Sequence, residues 1–379
     1  NSLLGARVTY NLGDYFAVKA IYGRPRLYTN YQTGWAGGAD LSLSLGDMFG
    51  MQKGALFIEG SYVNRYEKVS DIAADNLLNM YSARLNFDYS GFTFRGEYVG
   101  KGKDFTQYGN KGWAGYGEIG WAGKGFSFTG SVRALSRMLT PLAAGGAGTG
   151  NTLNYLPAMT RQYTYMLANL EPYQVNAEGE IGGQVDFYYT YRSKTNRYRY
   201  WNFHANFSTF YSLKPLATNG GKRKLFWRDI NFDVERQWNK KWKSTLLYSF
   251  QDNMDKQAHI FVGDVTHKFN RKTSLRFEVQ YLLSGDDKSE WDGIHSEGDW
   301  VAALVEFSLA PRWSIYVQDM YNIGMTKTHY YNGGFSYTHS RTRVQLSYGR
   351  NRAGVVCSGG VCRNIPAYTG ANLMITTSF

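Results

Sequence analysis

The chain has 379 residues, 17% of them aromatic, with 43 Gly, 7 Pro, 2 Cys and a formal net charge of +12. Mean hydropathy is −0.44 and no run approaches the ~18 apolar residues of a spanning helix, which excludes a helical membrane protein; a membrane barrel escapes that test, because half of each strand faces a polar interior. The Lys and Arg are dispersed, with longer clusters only at Arg192–Arg199 and Lys222–Lys224, so the positive charge points to anionic lipid or lipopolysaccharide phosphate as neighbour and not to nucleic acid.

Strands are predicted, in chain order, near 3–11, 15–23, 35–46, 54–65, 77–89, 92–101, 112–122, 125–138, 179–192, 200–213, 225–238, 241–252, 258–269, 273–284, 298–309, 313–323, 328–338, 342–350 and 371–379. Each rests on alternation of apolar and polar residues, because a strand points successive side chains to opposite faces. Leu275, Phe277, Val279, Tyr281 and Leu283 show it most clearly, with Arg276, Glu278 and Gln280 between them. Scarce Pro suits long hydrogen-bonded strands, and Tyr and Trp at strand ends suit a membrane interface. No fixed repeat of 20–50 residues appears, which argues against a propeller or solenoid. The expectation is an all-β fold: one transmembrane antiparallel β-barrel domain over residues 1–379, with about 18–20 strands in this chain.

Short connections are expected at Leu12–Asp14, Ser90–Gly91, Gly123–Lys124, Asn239–Lys240, Asn270–Lys272, Ala310–Pro311 and His339–Arg341. Longer ones lie at Lys101–Lys111, Leu139–Glu178, Gly285–Gly298 and Asn351–Gly370. Outer-membrane barrels have short periplasmic turns and long external loops. By that parity the first and last strands both run toward the periplasm. Bacterial single-chain barrels have even strand counts, so further N-terminal strands are expected upstream. The opening residue, Asn1 rather than Met, agrees with a mature or truncated chain. The alternative is a miscounted strand within 139–178.

The face predicted to meet lipid includes Leu41, Leu43 and Leu45; Leu85 and Phe87; Phe126 and Phe128; Val185, Phe187 and Tyr189. It continues through Ile230, Phe232 and Val234; Leu246, Tyr248 and Phe250; Val301, Val305 and Phe307; Val344, Leu346 and Tyr348. Arg228 and Arg236 share that register near strand ends, where snorkelling makes them cheap. On this reading Phe232→Arg harms folding far more than Asn231→Arg.

The opposite, lumen-facing set is Lys19, Arg84, Asp88, Arg95, Glu97, Glu118, Arg133, Arg137, Asp229, Asp233, Glu235, Lys243, Asp264, Lys268, Arg276, Glu278, Glu306 and Arg343, nine basic and nine acidic. Balanced charge argues against strong ion selectivity. Arg95/Glu97 and Arg276/Glu278 are read as same-face pairs. Two readings of the lumen stay open, a cross-linked and partly plugged interior or a wide, weakly selective channel. Asp229, Asp233 and Glu235 raise a calcium site, but Asp233 and Glu235 sit ~7 Å apart along a strand, so a solvated or Arg-paired stripe is preferred. No metal and no cofactor is expected.

Segment 139–178 starts Gly/Ala-rich at Ala143–Gly150 and has no obvious strand. A structureless stretch of that length is often functional, and it is expected to enter the lumen or cap the mouth. Cys357 and Cys362 have four residues between them, two of them Gly, which allows a tight turn and a disulfide in an oxidising compartment. The terminal strand places Ala371, Leu373, Ile375, Thr377 and Phe379 on one face, similar to the C-terminal assembly signal of bacterial outer-membrane proteins.

Tyr22-Gly23-Arg24-Pro25-Arg26, Thr160–Leu170, Gly179-Glu180-Ile181-Gly182-Gly183-Gln184 and Tyr348-Gly349-Arg350-Asn351-Arg352-Ala353-Gly354 with Cys357 and Cys362-Arg363 resemble a family of large Bacteroidota outer-membrane proteins of unassigned function. The resemblance spans most of the chain. It implies an outer-membrane location and members longer at the N-terminus, and no activity. The functional expectation is therefore a porin-like pore or transport protein with a charge-balanced lumen. The alternative is a structural or accessory subunit of an outer-membrane complex for nutrient import, secretion or barrel assembly, partnered by other outer-membrane proteins. Of the six His, His204 shares the lumen face with Ser208. A hydrolase needs nucleophile, base and orienting group together, no such triad is legible, and no enzymatic role is expected.

Overall fold

The structure is a computed structural model. It describes residues 3–27, 30–32, 34–67, 76–104, 111–142, 152–154, 156–196, 198–254, 256–285, 298–358 and 361–378, with backbone alone at 27, 76, 355–358 and 361–363. Its strands are β1 (Leu3–Leu12), β2 (Phe16–Leu27), the two-residue β3 (Asn30–Tyr31), β4 (Trp35–Ser44), β5 (Gly54–Glu67), β6 (Asn76–Tyr89) and β7 (Phe92–Lys101). Next come β8 (Gly112–Gly123), β9 (Phe126–Ser136), β10 (Gly179–Arg192), β11 (Tyr200–Ser212), β12 (Leu225–Gln237), β13 (Trp242–Asn253), β14 (Lys256–Lys268) and β15 (Thr273–Ser284). The chain ends with β16 (Trp300–Leu309), β17 (Trp313–Asn322), β18 (His329–His339), β19 (Thr342–Asn351), β20 (Gly354–Ser358), β21 (Val361–Ile365) and β22 (Tyr368–Thr377). Without β3 and the separate β20–β21 hairpin, nineteen strands form one antiparallel meander in which each pairs with the next. Every predicted strand is present, and the predicted short turns all join meander neighbours on one rim.

Alternation works in the reverse sense to a soluble sheet. On β15, Phe277 is 50% exposed while Gln280 between Val279 and Tyr281 is 0% exposed. Phe232 at 48% and Leu346 at 39% repeat the pattern. Apolar side chains line the outside and polar ones the inside, the architecture of a transmembrane β-barrel. Aromatic clusters mark both rims of the band. Tyr22 stacks on Trp35 at 5.2 Å on the long-loop side, and Trp313 meets Tyr337 at 4.5 Å on the short-turn side. The two outward arginines are both accommodated. Arg236 lies 4.1 Å from the Trp201 ring centroid and 3.5 Å from that of Trp238, a cation–π arrangement. Arg228 pairs with Asp252 at 3.1 Å.

The sheet curls around the segment that follows β9. Arg65 of β5 donates to Pro141 O, and Arg352 beyond β19 donates to Leu170 O at 3.1 Å. Strands from distant parts of the meander therefore reach one short stretch of chain. The sheet does not close on itself. Among the described residues β1 and β22 each pair along one edge only, so the sheet is open along a seam. An odd number of antiparallel strands makes the two edges run the same way, and joining them directly requires a parallel pairing, which the meander offers nowhere else. β1 accordingly is exposed at nearly every position. Ala143–Gly150 and Phe379 lie outside the described residues.

Candidate functional site

The interior is filled in its long-loop half by residues 152–154 and 156–178. The neck of this segment continues the β9–β10 hairpin, with Met138 N donating to Ala177 O at 2.7 Å. Beyond it, residues 156–170 run across the wall as a strap. Side-chain and backbone groups along it meet strands β12 to β15, and it ends in a 3-10 turn at Leu167–Asn169. Arg161 pairs with Asp233 on β12, and the Tyr163 hydroxyl donates to Asn231 on the same strand. The Tyr165 hydroxyl donates to Asp264 on β14 at 3.3 Å. Leu167 N donates to Gln280 Oε1 on β15 at 2.8 Å, and Gln251 Nε2 of β13 donates to Ala168 O at 2.8 Å. At the near end Arg133 donates to Pro157 O at 2.6 Å.

Apolar packing reinforces these bonds. Leu167 and Leu170 enter a cluster with Leu247, Ile260, Leu282 and Trp300. Met159 and Tyr173 pack on Phe210 and Trp227. Leu153 and Leu156 rest on Leu78, Met80, Leu135 and Met138. A half-buried polar wall thus turns apolar where the strap lies, and hydrophobic burial of ~25 cal/mol per Å2 holds it there. Burial, and then the neighbouring Asp229 carboxylate, push the Tyr163 phenol above its ordinary range.

Around and below the strap, the wall carries a paired charge network. Arg84 bonds Asp40 at 2.5 Å, Glu59 at 3.2 Å and Ser61 at 2.7 Å. Arg133 bonds Glu180 at 2.8 Å, and Glu118 accepts from the Tyr116 hydroxyl. Both nitrogens of His204 are engaged, by Asp186 at 2.9 Å and Asp233 at 2.8 Å, with the ring stacked on Tyr188. Asp229 accepts from Ser208, so His204 and Ser208 share no hydrogen bond. Glu235 takes Lys243 at 2.9 Å together with Tyr200 and Asn202. Asp229, Asp233 and Glu235 are thus partnered separately along β12. Arg276 joins Asp264, Glu278 and, at 4.0 Å, Glu306. Arg343 lines a separate cavity of about 380 Å3 with Glu306 and Tyr316, near the seam.

Two expected placements are corrected. Arg95 bonds Asp88 at 2.7 Å, not Glu97. Asp88 reaches it diagonally across the tight β6–β7 turn, whereas Glu97 stands two residues along the same strand. Arg137 lies beyond β9 with φ +53 and is exposed, so the left-handed bend carries it off the wall. Sequence reasoning did not single out Asp186 as a partner of His204, nor Glu180 as the partner of Arg133. The glycines beside Glu180 were the available signal. A Cβ at Gly182 would stand 2.1 Å from Thr209 O and 2.5 Å from the Phe210 ring. Gly182 sits between Arg133 and Phe210 in the register, and its bareness lets Phe210 pack there, 5.8 Å beneath the Arg133 guanidinium. The backbone of the β20–β21 hairpin sets Cys357 directly opposite Cys362; their side chains lie outside the described residues.

Among curated proteins, none matches the chain. Solved structures do. The FrpB iron transporter from Neisseria meningitidis is 7% identical, covers 99% of this chain and 71% of its own, and has a TM-score of 0.44. A mutant porin of Rh. blastica is 10% identical, covers 91% and 98%, with a TM-score of 0.38. The ferric-catecholate import receptor Fiu from E. coli K12 is 9% identical, covers 97% and 71%, with a TM-score of 0.39. The chain itself belongs to a family of unknown function (DUF6029), which it matches over residues 1–379.

Proposed function

We propose that this chain is an outer-membrane β-barrel protein of the transport type, with its path narrowed by the internal strap. The observation that carries this reading is the strap itself, bonded to wall strands β9 and β12–β15 and backed by three apolar clusters. Wall charges paired in place leave little field of one sign, so ions crossing such a path meet weak selection. The Bacteroidota resemblance supports the bacterial outer membrane as location. Lipid surrounds the apolar band, and lipopolysaccharide phosphate is the partner for the exposed Lys222 and Arg223 on the long-loop rim. Catalysis forms no part of this reading.

Planar-bilayer recording tests it. The whole protein should conduct weakly and with little ion selectivity. Replacing 157–170 by a flexible Gly-Ser linker should raise unit conductance several-fold. Equal conductance before and after that replacement would contradict the reading.

The open seam favours a second reading, a subunit of an outer-membrane complex. Backbone groups at a bare edge within hydrocarbon cost several kcal/mol each. An odd number of further antiparallel strands between β1 and β22 would satisfy them. A photo-crosslinker at Thr9 or Leu373 should then join one defined strand-bearing partner in cells; a seam that crosslinks only to lipid speaks against it.

A further inference from the structure

A cavity of about 460 Å3 lies between the strap and the inner wall of β5–β9. Its volume falls in the ordinary range for small-molecule sites. The upper part is apolar, lined by Met80, Val99, Met138 and Leu153. The lower part meets a polar row set by the sheet register, in which Glu59, Arg84, Glu97, Tyr116 and Arg133 stand on adjacent strands. Most of that row is satisfied within the protein, since Arg84 is bonded to Asp40 and Glu59, and Arg133 to Glu180.

One group is left over. Glu97, half-buried on the same cavity, has no hydrogen-bond or ion-pair partner among the described residues. An apolar chamber with a spare carboxylate at one end is the complement of an amphipathic molecule with a cationic head.

We propose that this cavity binds a small amphipathic amine. Its ammonium group sits on Glu97 and its apolar body fills the space under Leu153. A fatty-acid-like carboxylate is refused, because Glu97 repels it and both guanidinium groups already hold carboxylates. The inference stands whether or not the strap closes a conducting path.

The test uses the whole protein in phosphatidylcholine nanodiscs, with diazirine-tagged decylamine as probe and diazirine-tagged decanoate as comparator. After photolysis, mass spectrometry maps the adducts. The amine should label residues 153–159 or the inner face of β6–β8, and excess untagged decylamine should abolish that label. Glu97→Gln and the cavity-filling Ala114→Trp should each lower it at least tenfold. Label confined to outward residues such as Leu85 and Ile119 overturns the proposal, as does decanoate labelling the interior equally well. The wild-type map alone decides between these outcomes if either variant fails to fold.

Discussion

Asn231 and Phe232 are neighbours in β12 with opposite surroundings. Phe232 faces outward, and Phe232→Arg puts a guanidinium into hydrocarbon at about 2–4 kcal/mol. From the sequence alone Asn231→Arg is the milder change, as for a polar residue facing water. The structure overturns that. Asn231 is 1% exposed, accepts from the Tyr163 hydroxyl and donates to Asn206 at 3.1 Å. Both substitutions should therefore lower the yield of folded barrel. Thr245→Arg should not, because Thr245 is half-buried opposite Glu235 and Asp264. Heat-modifiable migration on gels measures all three, and a Thr245→Arg yield as poor as that of Phe232→Arg would refute the inward assignment of this face. Gly182→Ala is a second case. Its Cβ has no room against Thr209 O and Phe210, and overpacking of this kind costs about 1–3 kcal/mol. Its urea midpoint should fall, and an unchanged midpoint contradicts the account of the Arg133–Phe210 contact.

Strands and strap differ in how well they can be read. A strand declares itself locally, through alternation, and all nineteen were legible. The anchors of the strap were not, because the partner of Tyr163 or Leu167 depends on which distant strand passes beneath it. One signal was present all the same. Phe226-Trp227, Leu246-Leu247 and Leu282-Leu283 break the alternation with apolar residues on both faces, and Trp227, Leu247 and Leu282 are the buried members. Where both parities are apolar, lipid lies on one side and packed protein on the other. Strap docking should also depend on pH. Tyr163, Tyr165 and Tyr173 all have phenols raised above their ordinary range by burial. An undocked phenol ionises near pH ~10 and a docked one resists. Docking is thus fully favoured below that value and weakens as pH rises above it. Limited proteolysis of 156–170 should begin above pH ~10, more shallowly in Tyr163→Phe, and a wild-type rate independent of pH contradicts this. At the β20–β21 hairpin, the cross-strand register of Cys357 and Cys362 suits an oxidised pair. Thiol titration of the unreduced, denatured protein should find no free thiol; two free thiols would end that idea.

At the scale of the whole molecule, strand parity was legible. Counting strands shows that the first and last run the same way, so β1 and β22 cannot join as antiparallel neighbours. Interior charge balance is a collective property of the same kind. Single residues such as Arg95 chose a different partner from the one expected, yet the wall remains a set of neutralising pairs. All of this depends on an exterior that meets hydrocarbon. Spin labels at Phe232→Cys, Phe277→Cys and Leu346→Cys, in a background lacking the native cysteines and reconstituted in bilayers, test that most directly by power-saturation electron paramagnetic resonance. The account predicts collision with dissolved oxygen and protection from a water-soluble nickel complex at all three sites. Labels that collide with the nickel complex, or that are immobilised and shielded from both reagents as in a packed core, would contradict it.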